Sequence, residues 1–319
     1  MCGSGTTLVE AFLMGRQGLG GDVNPIAALV SRAKTLRLTA DGERELWDLV
    51  AAVESGIPLR ADVELPDFYN RDHWFSTEVS VALAWCLSLV RRLTAPDAIA
   101  LAESALSSIV VGVSRQDSET RWVRRERNVT LSEVLERFEK KLLEHLRKSM
   151  DLASVQAPVP SVWRGNASAL PLASSSVDLV VTSPPYANSH DYYLYNKLRM
   201  FWLGHDVPSV QEAEFGSRNK HSDKKMPINH YLDAMVGVLS ESARVIKPGK
   251  RVCVVVGDAI VRGEFFNMGV LISQLGESVG LLVDAHHEFS QQRYTKAFTR
   301  GFGTKLQKST HVLVLARPV

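Results

Sequence analysis

The chain has 319 residues, 45% hydrophobic and 23% charged, with a formal net charge of +2 at pH 7. Such a composition belongs to an ordinary soluble globular chain of one large domain or two modest ones, and the small net charge does not by itself indicate a nucleic-acid partner. No apolar run approaches the roughly 18 residues of a membrane span, and no basic region precedes the first apolar stretch, so neither a membrane nor a secretory signal is expected. Cys2, Cys86 and Cys253 are isolated and odd in number. They fit a reducing, cytoplasmic setting and supply no metal spacing. His286-His287 is the one tight histidine pair and is expected to be surface or core histidine, so no metal is expected.

Residues 1–25 read MCGSGTTLVEAFLMGRQGLGGDVNP. Gly3 and Gly5 permit a tight turn with close backbone approach. The spacing of Leu8, Ala11 and Phe12 predicts a helix from Thr6, ended by Gly15 and Gly18. A short strand around Leu19 then closes at Gly20-Gly21-Asp22. A glycine turn at a helix N-terminus binds an anion through free N–H groups, and an acid about 20 residues later accepts ribose hydroxyls. A P-loop would need a Lys before its Ser/Thr, whereas Thr6-Thr7 follows Gly5 directly; a dinucleotide fingerprint would need a third glycine that is missing.

Residues 39–149 change character. Three amphipathic stripes predict helices: Val79, Leu83, Cys86, Leu87, Val90, Leu93; Ile99, Ala102, Leu106, Ile109, Val113; and Leu131, Val134, Leu135, Phe138, Leu142, Leu146. Strand signals are nearly absent, so this stretch reads as a helical insertion between two strands of a sheet. Within it, Ser114 to Asn128 carries five arginines (115, 121, 124, 125 and 127) against Asp117, Glu119 and Glu126, with Trp122 interleaved. Arginine forks suit phosphate, which makes this a candidate nucleic-acid contact; the alternative is a solvated helix face with internal ion pairs.

The sheet resumes at Val162-Trp163, a short strand ending at Gly165-Asn166-Ala167. Val177, Leu179, Val180 and Val181 form a nearly continuous apolar run, which predicts a strand buried on both faces. It must stop at Ser183-Pro184-Pro185-Tyr186, because two prolines cannot donate to a sheet ladder. The polar end of such a strand is where open α/β sheets place ligands. The Ser183 hydroxyl and the Ser183 and Pro184 carbonyls can accept N–H bonds from an exocyclic amine. Tyr186 offers a stacking face, worth about 1–3 kcal/mol per base. The chemistry suits a flat ring that carries an amino group.

Tyr192 and Tyr193 either flank such a ring or serve as core or capping residues. Residues 211–227 are polar and aperiodic and are expected to form a mobile loop beside the substrate edge. A helix through Leu232, Met235 and Leu239, a turn at Lys247-Pro248-Gly249, a buried strand Val252 to Val256, a helix over about 266–279 and strands at Leu281 to Val283 and His311 to Leu315 complete the fold. Between the last two strands lies a basic, aromatic stretch. From Glu288 to Val319 six Lys/Arg stand against one acid, with Tyr294, Phe298 and Phe302 interleaved, a second candidate nucleic-acid contact.

The S-P-P-Y tetrapeptide, Ser183 to Tyr186, resembles the signature of amino-methyltransferases that modify DNA at cytosine N4 or adenine N6. Cys2 to Thr7, C-G-S-G-T-T, resembles the motif with which the same family cradles S-adenosylmethionine. The resemblance covers most of residues 1–35 and 160–319. It implies a doubly wound class I methyltransferase (Rossmann-like) α/β sheet over residues 1–38 and 150–319; 39–149 is then a helical insertion, which its arginine-rich segment makes a candidate DNA-recognition region. In the family a central strand ending in Asp-Pro feeds the glycine turn. Here the chain begins inside the motif, so a sheet lacking its first strand is expected, with a truncated start as the favoured explanation. The resemblance assigns Ser183, Pro184, Pro185 and Tyr186 to the amine, and Gly3, Ser4, Gly5, Thr6, Asp22, Asn166 and Ala167 to the cofactor. Asn166 stands where the family usually has an acid beside the adenine amine; its side-chain oxygen can still accept that bond. The implied partner is DNA, with the base flipped from the stack, and a companion restriction endonuclease is a further candidate. No Pro-Cys motif is present, which disfavours cytosine C5 chemistry. Ser at the head of the motif favours cytosine N4. Adenine N6, an RNA substrate, and an inactive nucleic-acid-binding remnant are the alternatives.

Overall fold

A computed structural model describes residues 1–57, 63–223, 226–290 and 308–319. The chain divides into two compact units. One comprises Cys2–Arg164 and Tyr193–Gln211, the other Gly165–Tyr192 and Glu212–Val319 with Met1.

In the first unit the glycine turn enters α1 (Thr6–Leu13), and β1 (Leu19–Asp22) follows. Gly15 sits just past the helix at φ 71°, the left-handed conformation that closes helices most cheaply with glycine. Asn24 caps α2 (Pro25–Ala33) by accepting the Ile26 N–H, and Pro25 occupies the first helical position, where a missing N–H costs nothing. Then come α3 (Ala40–Glu54), the single turn α4 (Arg71–Trp74), α5 (Thr77–Val90) and α6 (Pro96–Val113). The hairpin β2 (Gln116–Ser118) and β3 (Arg121–Arg124) leads to α7 (Leu131–Asp151). The predicted stripes become the core: Leu83, Cys86, Leu106, Phe138, Leu142 and Leu146 are buried together.

α6 corrects one expectation. Among the described residues it is the one helix long and apolar enough, by length and composition, to cross a membrane. It is apolar nearly all round because it packs against several helices at once, and 67% of it is buried inside the protein. β4 (Ser161–Arg164) pairs in parallel with β1, Leu19 opposite Ser161 and Asp22 opposite Arg164. The short helices α8 (Tyr192–Tyr195), α9 (Lys197–Trp202) and α10 (Val207–Ala213) follow, and α9 adds Leu198 and Trp202 to the helical core. The helices of segment 39–149 thus share a compact unit with residues 2–38.

The second unit holds β5 (Val177–Thr182), α11 (Ile228–Val245), β6 (Ile246–Gly257), the small hairpin β7 (Ala259–Val261) and β8 (Glu264–Phe266), α12 (Met268–Ser278), β9 (Leu282–Ser290) and β10 (Ser309–Ala316). Its four-stranded sheet has the order β5-β6-β10-β9. β5 and β6 are parallel, and β10 runs antiparallel to both its neighbours. The α/β class and the parallel pairing are as expected, with the parallel strands divided between a two-stranded and a four-stranded sheet. The Lys247-Pro248-Gly249 turn is a bulge within β6: the register passes from Val177↔Ile246 to Leu179↔Arg251, with Gly249 at φ 73°.

Two further expectations are corrected here. β5 is not buried on both faces. Val177 and Val180 pack on the core, but Leu179 and Val181 are 48% and 42% exposed. β5 is the end strand of its sheet, and a continuous apolar run is buried twice over only where layers cover both faces. Segment 211–227 is not simply a polar loop. Glu214, Ser217 and His221 are buried, with Glu214 accepting the Tyr192 N–H at 2.8 Å and Asp191 the Asn219 N–H at 2.9 Å. The basic stretch around Tyr294, Phe298 and Phe302 lies outside the described residues.

Candidate functional site

The glycine turn is built by two backbone–backbone hydrogen bonds and two more to a side chain. The Cys2 N–H bonds the Gly21 carbonyl at 2.9 Å, tying the turn to β1, and the Gly5 N–H bonds the Cys2 carbonyl at 2.9 Å. Gly3 and Gly5 take φ values of 54° and 79°. The Gly3 N–H donates to Asp22 Oδ2 at 3.0 Å, and the Asn24 N–H to Asp22 Oδ1 at 3.0 Å. The predicted acid at the end of β1 therefore holds the turn itself. A carboxylate offers about four acceptor positions, so roughly two remain for a diol. The first helical bond of α1 runs from Val9 N–H to Gly5, with no side-chain cap; the N–H groups of Thr6, Thr7 and Leu8 stand ahead of it. Ser4 and Thr6 are exposed.

Sequence reasoning missed how α2 supports this turn. The buried Ser31 hydroxyl donates to the Gly3 carbonyl at 3.0 Å, and Lys34 Nζ to the Ser4 carbonyl at 2.9 Å. A Cβ on Gly5 would lie 2.7 Å from Ser31 Oγ, and one on Gly21 would lie 2.5 Å from Nε1 of Trp163. These glycines are close-approach positions as well as turn formers. The partners lie 26 or more residues away, so no local pattern announces them.

In the other unit, Ser183-Pro184-Pro185-Tyr186 leaves the carboxyl end of β5. Ser183 is exposed, Pro184 buried, and Pro185 and Tyr186 half-buried. The Ser189 N–H returns to the Tyr186 carbonyl at 3.2 Å and the Asn188 N–H to Gly216 at 2.9 Å. Asn188 takes a left-handed φ of 55° while its amide donates to the Ile260 carbonyl at 2.7 Å. The Tyr186 ring packs against Gly257, the last residue of β6: a Cβ there would sit 2.9 Å from Cε2 and 3.0 Å from Cδ2. Behind the rim, Tyr231 of α11 is fully buried, and its ring fills the space a Gly216 side chain would need, beside the Pro185 carbonyl. Burial, then the neighbouring Tyr186, pushes the Tyr231 phenol well above its ordinary range, so it stays neutral.

Asn166 is exposed, and its Oδ1 already accepts the Ser168 N–H at 3.0 Å, with Ala167 half-buried between them. One lone pair of that oxygen remains. Tyr193 is a core residue whose hydroxyl accepts from Gln211 at 3.0 Å, while Tyr192 is exposed beside His190. The glycine turn and Asp22 belong to one compact unit, and Asn166, Ala167 and the Ser183–Tyr186 rim to the other. Among the described residues no group of three or more His, Cys, Asp or Glu side chains could hold a metal.

Comparison with known proteins bears on the Ser-Pro-Pro-Tyr rim. Residues 177–298 match the family model of the N6/N4 DNA methylases. The Type II methyltransferase M.MvaI of Kocuria varians is 26% identical over 266 residues, 75% of this chain and 58% of that protein. The chain thus spans little more than half the length of the curated relative it matches. Among solved structures, a protein of Thermus thermophilus described as a DNA modification methylase, in complex with S-adenosyl-L-methionine, is 23% identical over 49% of this chain and 52% of its own, at a TM-score of 0.30. A SAM-dependent methyltransferase of Methanosarcina mazei covers 100% of this chain and 90% of its own at 10% identity and a TM-score of 0.36. At those scores the superpositions decide nothing about this chain. The family model begins at the first residue of β5 and takes in the whole Ser-Pro-Pro-Tyr rim. Over residues 177–298, well under half of its length, the chain is thus similar to the N6/N4 DNA methylases.

Proposed function

We propose that this chain transfers a methyl group from S-adenosylmethionine to an exocyclic amine of a DNA base, with cytosine N4 as the target. The observation that carries this is the rim after β5: an exposed Ser183, a buried Pro184 with fixed backbone, and a Tyr186 ring packed against Gly257. The Ser183 hydroxyl and the Ser183 and Pro184 carbonyls accept from the amine. Those bonds draw its lone pair away from conjugation with the ring and fix its direction. Tyr186 stacks on the base, and the proline pair keeps both groups in one orientation.

The residues present fit S-adenosylmethionine. The open N–H groups of Thr6, Thr7 and Leu8, the spare acceptor capacity of Asp22, and the absence of any side chain at Gly3 and Gly5 would hold its polar end and ribose. A Cβ on Gly3 would meet nothing within 4 Å, so the outer side of the turn is open. Asn166 and Ala167 would serve the adenine. The cofactor supplies an electrophilic methyl group when bound. The chain's own residues have only to position the amine and accept its hydrogen bonds, and no covalent enzyme intermediate is required. The family match over 177–298 and the relative from Kocuria varians support this reading.

The test is to incubate duplex DNA with the protein and S-adenosylmethionine and to digest the product to nucleosides. N4-methylcytosine is the expected product. N6-methyladenine alone would move the target to adenine, and no methylated nucleoside on DNA, but methylation of tRNA, would replace DNA by RNA. In the same assay Tyr186→Ala should lower turnover by about tenfold or more, in line with removal of a stacking face, while cofactor binding measured by calorimetry survives. Loss of cofactor binding instead would overturn the assignment of the rim to the acceptor base.

A further inference from the structure

The arginine-rich stretch is a β-hairpin, β2–β3, in which the charges are sorted by depth. Asp117 is only 10% exposed and is shared by two guanidinium groups: Arg121 Nη1 at 2.9 Å and Arg125 Nε at 3.0 Å. Those two side chains are 64% and 68% exposed. One inward carboxylate therefore fixes two outward cations, and each fork keeps N–H groups directed at solvent. The other charges of the hairpin are spent internally. Arg127 donates to the carbonyls of Gly112, Ser114 and Asp117, with its shortest bond 2.7 Å to Asp117. Arg115 and Arg124 share Glu126 at 3.6 and 2.7 Å. Glu119 is taken by Arg199 of α9 at 2.5 Å. Lys197 lies over the Trp122 ring at 5.2 Å, which occupies the one aromatic of the hairpin that could otherwise stack on a base.

The outer surface thus presents a surplus of positive charge on preorganised forks and no free aromatic face. That combination suits oxygen anions in a regular array and does not suit bases. We infer that the β2–β3 hairpin docks the phosphodiester backbone of the DNA duplex, with Arg121 and Arg125 as the phosphate-binding pair. This rests on the proposal that DNA is the substrate. It adds a contact that reads no sequence: the hairpin fixes the duplex by its backbone, and specificity lies elsewhere.

The experiment measures the affinity of the full chain for a duplex of about 20 base pairs across a salt series. For the wild type, log affinity should fall linearly with log salt. Arg121→Ala with Arg125→Ala should weaken binding by about tenfold or more at low salt and make the slope shallower by about 2, close to one for each phosphate no longer neutralised. Arg121→Lys with Arg125→Lys should keep the wild-type slope, because the charges remain. Removing both arginines strands the inward Asp117, so the same measurement is made with Asp117→Asn added. That triple variant should show the same shallow slope while S-adenosylmethionine binding reports an intact fold. An unchanged slope in the alanine variants, or a wild type that binds no duplex, would overturn the inference. Failure of the methyl-transfer proposal is read separately, from the nucleoside products of the wild type.

Discussion

At the scale of single residues, the Ser183–Tyr186 rim depends on an absence. Gly257 has no side chain, and the Tyr186 ring occupies that space. Gly257→Ala puts a carbon about 3 Å from two ring carbons, closer than packed atoms tolerate. The ring must tilt or β6 must shift. Turnover should fall by about ten- to hundredfold, the cost of misplacing a positioning group by about an ångström, while calorimetric binding of S-adenosylmethionine is kept. Wild-type turnover in this variant would mean that the ring does not set the geometry. Ser183 to Tyr186 was legible in the sequence because an apolar run and two prolines dictate a strand end. Gly257 was not, because its partner is 71 residues away in the chain and a glycine closing a strand has many uses. Asp22 was legible as the acid that closes β1, but the backbone N–H groups of Gly3 and Asn24 that it accepts are not readable from residue type.

At the scale of elements, the helical stripes were legible in the sequence, whereas the start of α7 shows only in the structure. α7 begins with a capping box: the Glu133 N–H bonds the Thr130 hydroxyl at 3.3 Å, and Glu133 Oε2 accepts the Thr130 N–H at 2.8 Å. Thr130→Ala should cost about 1 kcal/mol and lower the thermal midpoint by about 2–4 °C, with methyl transfer at permissive temperature unaffected. A midpoint unchanged within error would show that packing of Phe138, Leu142 and Leu146 alone holds the helix. The three amphipathic stripes mark helices because the 3.6-residue period survives whatever the helix packs against. The β2–β3 hairpin escaped notice for the opposite reason. Its strands have 3 and 4 residues, lack alternating apolar positions, and are held by arginine–carboxylate pairs. The exposure of Leu179 and Val181 also depends on neighbours, since hydrophobicity reports what a strand would bury and not what is there to cover it.

At the scale of the whole molecule, acid sensitivity should come from histidine. Burial holds His145, His205 and His221 below their ordinary range. An unfolded chain takes up protons near pH 6.5, before these folded groups do. Their neutral burial therefore contributes fully above that pH, and stability declines as the pH falls through the lower folded values. The thermal midpoint should drop between about pH 7.5 and 5.5, and His221→Gln should flatten the slope; a midpoint that rises on acidification would contradict this. Glu144, held at about 2 by Lys141 and Lys148, titrates below that window and does not confuse the measurement. A second buried group works across the sheet. Asp258, at the end of β6, accepts N–H bonds from Met268 at 3.0 Å and Ser309 at 2.8 Å, and it pairs with His311 Nε2 at 2.9 Å. His311 in turn meets His286 of β9 at 3.0 Å, and Ser309 bonds Glu288. One carboxylate thereby anchors the start of α12, the start of β10 and, through a histidine, the middle of β9. The alignment of β9 with β10 is consequently fastened at its root by groups inside the sheet.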